Sequence, residues 1–140
     1  RRFGADVVVN SGRESARDVV AGLTGGLGAD VAMEAVGIPE TFEECVRLVR
    51  PGGHVANIGV HGAPATLHLE DIWIRNLTIT TGLVDTWSTP TLIELAASGR
   101  LDTSPMVTHR FGLDEFEAAY DVFERAADTG ALKVLLTAER

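Results

Sequence analysis

The first half of the chain alternates short apolar runs with segments of helical periodicity. Residues 7–9 are three consecutive valines, a pattern typical of a strand that is buried on both faces. Apolar side chains then recur every three or four positions across residues 16–23, and this spacing predicts a helix. Gly25 and Gly26 follow directly and end that helix.

The same alternation continues and predicts a doubly wound α/β fold. Apolar or β-branched runs at residues 30–35, at residues 54–58 and from Leu77 to Thr81 predict three further strands. Between the first two of these, a helix begins at Pro39 and stops before Pro51. Strands and helices that alternate at this spacing form right-handed crossovers, and hence a parallel sheet with helices on its faces.

The second half has a different pattern. Ser88 begins a predicted helix that ends at Gly99, and Asp114 with Glu117 forms the start of another. A last apolar run at residues 133–137 predicts a strand. We therefore expect a C-terminal extension of helices and a strand after the doubly wound part.

Composition and charge exclude several classes of protein. The 140 residues suffice for about one domain. A net charge of -8, from 20 acidic and 12 basic side chains, argues against binding to a nucleic acid backbone. The longest stretch without a charged residue, 51–69, is interrupted by glycine and proline, so we expect no membrane helix.

The single cysteine bears on the cellular compartment, and the first residues bear on whether the N-terminus is a natural start. Cys45 has no second cysteine with which to form an internal disulfide, and this favours a reduced, cytoplasmic setting. Its neighbours on the helix face are apolar, so we interpret Cys45 as a small buried hydrophobic residue. The chain begins with Arg1, without Met or an apolar signal segment, which we interpret as a cut end.

The candidate binding site lies at the carboxyl ends of the predicted strands. Gly37, Gly59 and Gly82 each follow a strand, and in a parallel sheet these ends meet at one edge, where ligands bind. A glycine lets the backbone approach a ligand closely, but it also simply lets a strand turn. Three glycines at one edge favour the ligand cleft.

A few polar side chains stand out against this background. Glu34 ends an otherwise apolar strand, where burial would demand a partner, so it either shapes the site or anchors a neighbouring loop. Lys133 opens the last strand and is typical of a surface residue. His61 and His68 lie in a loop with glycine and proline, and the four histidines are scattered, so we expect no metal site in this chain.

The ordered set of motifs resembles one family along the whole chain. The segments are Gly4-Ala5-Asp6-Val7-Val8-Val9-Asn10, Gly28-Ala29-Asp30-Val31, Glu34-Ala35-Val36-Gly37, Leu48-Val49-Arg50-Pro51-Gly52-Gly53-His54-Val55, Ile58-Gly59-Val60, Asn76-Leu77-Thr78-Ile79-Thr80-Thr81-Gly82 and Lys133-Val134-Leu135-Leu136. In this order they resemble the C-terminal part of a zinc-dependent, medium-chain alcohol dehydrogenase. The resemblance implies a partial Rossmann-like doubly wound parallel sheet (strands three to six) in residues 1–87, and a C-terminal segment, residues 88–140, that returns toward the catalytic domain.

The resemblance also implies a nicotinamide cofactor, NAD or NADP. In that family the nicotinamide end of the cofactor lies against three loops, and a basic residue lies near its pyrophosphate. The implied cofactor-binding residues are Ala35, Val36, Gly37, Ile58, Gly59, Val60, Leu83, Val84, Asp85 and Lys133. The zinc ligands and the proton relay of the family have no counterpart here, so we expect no catalytic or metal-binding residue in this chain.

Zinc and a small alcohol or carbonyl substrate would then be bound by the intact enzyme, and the isolated chain would be inactive. Family dimers pair across the strand that matches Leu77 to Thr81, so the resemblance implies a homo-oligomer through that edge. In the sheet order 3-2-1-4-5-6, two strands absent from this chain separate residues 7–9 from residues 30–35. We expect either that these two segments pair directly or that another copy of the chain fills the gap.

Other functions stay open at this point. Pro51-Gly52-Gly53 before a strand also suits an S-adenosylmethionine-dependent methyltransferase. A non-catalytic Rossmann module that only dimerises, or a zinc-free enzyme similar to quinone reductases, would show the same motifs.

Overall fold

A computed structural model describes residues 3–82 and 86–138 of the chain. The chain divides into two compact units, residues 1–84 and residues 85–140. Each unit contains one parallel sheet, with three strands in the first and two in the second. Within the described ranges, every helix is too short or too polar to cross a membrane.

The first unit has the alternating order that the sequence predicts. Its elements are α1 (Ala16–Leu23), β1 (Ala29–Glu34), α2 (Pro39–Leu48), β2 (Val49–Asn57), α3 (Leu69–Ile72) and β3 (Thr78–Thr81). The strand order is β1-β2-β3, and both pairs are parallel. This confirms the parallel α/β class.

The strand predicted at residues 7–9 is wrong. These residues form no strand, and Val7 and Val8 are exposed. A strand needs a hydrogen-bonded neighbour, and the two strands that would stand between this segment and β1 in the doubly wound order are not part of this chain. Direct pairing with β1 therefore does not occur, whereas filling of the gap by another copy stays a prediction.

The core of the first unit surrounds β2, the central strand. Val49 and Val55 of β2 are fully buried and pack with Val46 of α2 and Ile72 of α3. The guanidinium of Arg75 donates to the carbonyl oxygens of Val46 and Val49, which lie where α2 ends and have no partner within the helix. These contacts fix α2 against the sheet and so fix the loop that precedes it.

The second unit contains a strand that the sequence pattern did not predict. Its elements are α4 (Thr89–Ala97), β4 (Val107–Gly112), α5 (Phe116–Glu124), α6 (Ala126–Thr129) and β5 (Lys133–Thr137), with β4 parallel to β5. The predicted strand at residues 133–137 is confirmed. The predicted helix start at Asp114 with Glu117 is wrong in register, because Glu115 accepts the backbone N–H of Gly112 at 3.0 Å and α5 begins at Phe116.

Candidate functional site

The three strands of the first unit end in register. Glu34 at the end of β1 is paired with Asn57 at the end of β2, and Asn57 is paired with Thr81 at the end of β3. The segments that follow these residues therefore leave the sheet at the same edge, which is where ligands bind in open parallel sheets.

The side chain of Glu34 organises the loop after β1. Glu34 is 1% exposed, and its Oε1 accepts hydrogen bonds from the backbone N–H groups of Val36 and Gly37, both at 2.8 Å. The hydroxyl of Thr41, in the first turn of α2, donates to the same oxygen at 2.6 Å. Of the two roles that the sequence left open for Glu34, the structure shows that it anchors the neighbouring loop.

The backbone of Glu34 also holds the loop after β2. Its carbonyl oxygen accepts the N–H groups of Ile58 at 2.8 Å and Gly59 at 3.1 Å. One residue therefore receives four backbone N–H groups, two from each loop. Because these four N–H groups already donate to Glu34, a ligand at this edge would form hydrogen bonds with other groups of the loops, such as carbonyl oxygens.

The two loops cross in direct contact, and two of the predicted glycines make that crossing possible. A Cβ atom on Gly37, whose φ is +88°, would overlap the carbonyl group of Val60. A Cβ atom on Gly59 would overlap Oε2 of Glu34 and the backbone of Gly37. Gly82 differs, since a Cβ atom there would meet nothing within 4 Å among the described residues.

His61 belongs to this cluster, although the sequence pattern had set it aside with the scattered histidines. Its Nε2 lies 2.9 Å from Oδ1 of Asn57 and 3.4 Å from Oε2 of Glu34, and its ring meets the ring of Phe42 edge-on at a centroid distance of 6.2 Å. The amide of Asn57 in turn donates to the carbonyl oxygen of Gly59 at 3.3 Å. The signal that could have found His61 is its position four residues after a strand end that lies beside Glu34.

The pKa of Glu34 is lowered from its ordinary value of 4.5 to about 2. The hydrogen bond from Thr41 contributes most to lowering this pKa, and the N–H groups of Gly37 and Val36 add to it. Burial acts in the opposite direction but is outweighed. The carboxylate is thus ionised at neutral pH inside the protein, which is possible because these donors replace the water it has lost.

The other residues of the implied cofactor site lie in three places. The side chains of Ala35, Val36, Ile58 and Val60 are exposed at the sheet edge, beside the buried Gly37 and the half-buried Gly59. Leu83, Val84 and Asp85 lie outside the described residues. Lys133 is exposed at the start of β5 in the second unit, where it lines a cavity of about 270 Å³ together with Tyr120 and Phe123.

Two features of the described residues bear on metal binding, the thiol of Cys45 and an exposed cluster of one histidine and two carboxylates. Cys45 is half-buried against the core, and burial raises the pKa of its thiol, which disfavours the thiolate form that binds metals. His68, Glu70 and Asp71 place ligand atoms within 4.8 Å of one another, but all three are exposed, and exposed acidic groups are common without a metal ion. We therefore derive no step that passes through zinc in this chain.

Comparison with known proteins identifies the family. The family model described as zinc-binding dehydrogenase matches residues 1–98. An alcohol dehydrogenase from Cupriavidus necator is 37% identical over an alignment of 140 positions, which covers 97% of this chain and 38% of that enzyme. This chain belongs to the zinc-binding dehydrogenase family, and it spans little more than a third of the length of that relative.

Solved structures agree with this assignment. The apo form of zinc-dependent alcohol dehydrogenase 2 from Streptococcus pneumonia is 45% identical, with a TM-score of 0.82 over 89% of this chain and 36% of that chain. A zinc-binding dehydrogenase from Sinorhizobium meliloti 1021, solved bound to NADP, is 29% identical, with a TM-score of 0.82 over 96% of this chain and 40% of that chain. The fold therefore matches part of a Rossmann-like zinc-type alcohol dehydrogenase.

Substitution of Gly59 tests the crossing of the two loops. We expect Gly59→Ala to lower the free energy of unfolding by about 1–3 kcal/mol, because the new Cβ displaces Glu34 and the backbone of Gly37. Gly62→Ala in the same loop is the matched control, since a Cβ there meets nothing within 4 Å, and we expect a change of less than about 1 kcal/mol. Urea unfolding measures both, and equal effects would contradict the crossing.

The low pKa of Glu34 predicts a pH dependence of stability. Because the pKa falls from 4.5 to about 2 on folding, the ionised carboxylate stabilises the fold above pH 4.5, and this contribution is lost as the pH falls toward 2. We expect the wild-type free energy of unfolding to decrease over that interval relative to Glu34→Gln, which has no such titration. A carbon-13 NMR titration that places the pKa of Glu34 at 4.5 or above would refute this.

Proposed function

We propose that this chain supplies part of the cofactor wall of an oxidoreductase that transfers hydride between a small alcohol or carbonyl substrate and NAD or NADP. The observation that carries the proposal is the crossing of the loops after β1 and β2, which brings the implied residues 35–37 and 58–60 together at the sheet edge. Family membership and the relative bound to NADP support the class of cofactor.

The chemistry of the two loops suits the carboxamide of nicotinamide. Glu34 holds the N–H groups of Val36, Gly37, Ile58 and Gly59, so recognition falls to backbone carbonyl oxygens such as that of Ile58, which would accept from the carboxamide NH₂. The exposed apolar side chains of Val36 and Val60 offer packing area for the ring. When bound, the cofactor supplies the hydride chemistry, and these residues position its ring and exclude water.

Other parts of the site complete this proposal. The family resemblance adds Lys133 to the proposed cofactor-binding residues, together with Leu83, Val84 and Asp85, which lie outside the described residues. Residues 1–87 act as the dinucleotide-binding part and residues 88–140 as the segment that returns toward the catalytic domain. The isolated chain is inactive in this proposal, because the family resemblance places the zinc ligands and the proton relay in another part of the intact enzyme. The reduced cysteine fits a cytoplasmic setting.

A second copy of the chain is the proposed partner, through the edge that runs from Leu77 to Thr81. Thr78–Thr81 form β3, the outermost strand of the sheet, and β-branched edge strands favour pairing with another chain. Trp73 and Ile74, just before this strand, are exposed apolar side chains of the kind found at protein interfaces.

Calorimetric titration with NADH and NADPH tests the cofactor site. We expect the 140-residue chain to bind at least one of them, and Val60→Asp to weaken that binding about tenfold, because it places a charge where the ring packs. Leu27→Asp is the control, since Leu27 is 62% exposed and precedes β1 at the opposite end of the strand.

Three results would overturn parts of this proposal. Binding of S-adenosylmethionine without either nicotinamide cofactor would favour a methyltransferase. Self-association without any cofactor binding would favour a purely dimerising module. Alcohol-dependent formation of NADH or NADPH by the chain alone would contradict its inactivity.

Sedimentation velocity tests the dimer. We expect the wild-type chain to sediment as a dimer and Thr78→Lys to raise its dissociation constant about tenfold, because a lysine on an edge strand opposes pairing. Thr66→Lys, at an exposed loop position, is the control and should leave the dimer intact. A wild-type monomer would refute the proposal.

A further inference from the structure

The cluster at the sheet edge contains a hydrogen-bond chain that joins His61, Asn57 and Gly59 and lies beside Glu34 of β1. Nε2 of His61 faces two acceptors, Oδ1 of Asn57 at 2.9 Å and Oε2 of Glu34 at 3.4 Å. The amide NH₂ of Asn57 is directed to Gly59, so Oδ1 is the atom that remains for His61. Nε2 is therefore the ring nitrogen that would donate toward these acceptors.

The position of His61 is restrained from several sides. Its side chain is only 20% exposed, and its ring lies perpendicular to the ring of Phe42 in a T-shaped contact, with an interplanar angle of 90°. Phe42 itself packs against the core of the first unit. Among the described residues, Oε2 of Glu34 and Nδ1 of His61 are buried without a hydrogen-bond partner, and Nε2 of His61 lies 3.4 Å from Oε2.

We propose that His61 is a positioning residue of the nicotinamide site: through Asn57 and Glu34 it holds the loop after β2 against the loop after β1. This inference rests on the proposed function for its consequence, but the geometry it describes exists in the free protein. His61 directly follows Val60, whose carbonyl group lies against Gly37, so a shift of the imidazole moves the contact between the two loops. His61 does not itself touch the reacting atoms in this proposal.

Amide hydrogen exchange on the cofactor-free chain tests whether His61 holds the loop after β2 in place. The N–H groups of Ile58 and Gly59 report opening of the loop, and the amides around Val55 in β2 report opening of the sheet. We expect His61→Leu, which keeps apolar packing on Phe42 but has no donor, to speed exchange at Ile58 and Gly59 about fivefold, the factor that one net hydrogen bond represents. The amides around Val55 should be unchanged.

Two further variants separate positioning from general stability. We expect His61→Gln, which keeps an N–H donor, to restore slow exchange at Gly59. We expect His68→Leu, which removes an exposed histidine bonded only to Glu70 among the described residues, to have no effect on exchange at that site. Equal loss of protection at Gly59 and Val55 in His61→Leu, or no rescue by His61→Gln, would overturn the proposal.

A double-mutant cycle tests the link to Glu34. If the side chains of His61 and Glu34 interact, the effects of His61→Leu and Glu34→Gln on exchange at Gly59 will not be additive. Strictly additive effects would show that the two side chains act separately. NADH affinity is then the functional readout, with about fivefold weaker binding expected in His61→Leu. Failure of the wild-type chain to bind NADH or NADPH would defeat the proposed function, yet the exchange results would still decide the role of His61.

Discussion

The structure of the candidate site depends on an ionised carboxylate that is buried at the end of a strand. Glu34 has lost its contact with water, and it is stable there because Val36, Gly37 and Thr41 all donate to Oε1. Without these donors, burial would drive the carboxyl toward its neutral form, and the loop after β1 would lose the acceptor that closes it. The shape of the loop and the charge of the side chain therefore depend on each other.

The same residue joins two loops that are far apart along the chain. Parallel pairing of β1 and β2 places Glu34 beside Asn57, and the carbonyl oxygen of Glu34 then receives Ile58 and Gly59. Since Gly37 and Gly59 lack side chains, the loops approach until their backbones touch. A site built in this way is rigid before any ligand arrives, and this reduces the entropy that binding has to overcome. It also uses four N–H groups internally, which limits how a ligand can be recognised.

Much of the first unit could be predicted from the sequence because its signals are local. Pro39 at the start of α2, the glycines after α1 and the apolar strands all act through periodicity and backbone preference. Residues 7–9 show where such reasoning fails, because three valines favour a strand but cannot form one without a neighbour. β4 was missed for the opposite reason. Its Thr108, His109 and Arg110 weaken the apolar signal, and pairing with β5, about 26 residues later, stabilises it.

The meeting of the strand ends was predictable, but the connections between them were not. Strand ends and glycines indicate the edge of the sheet at which Gly37 and Gly59 meet, yet a partner for Glu34 and the contacts of His61 depend on distances that only the fold sets. His61 lies 27 residues from Glu34 in sequence and 3.4 Å from it in space. The spacing of the two residues along the chain does not predict that contact, because the register of β1 against β2 creates it.

The most direct test of this account is a nitrogen-15 NMR titration of the 140-residue chain with reduced nicotinamide mononucleotide, the half of the cofactor that the crossed loops would hold. The account predicts that chemical shifts change at residues 35–37 and 58–61 and stay constant at Leu27 and Gly28, which precede β1 at the opposite end of that strand. Shifts confined to that opposite end, or spread over unrelated surfaces, would contradict it.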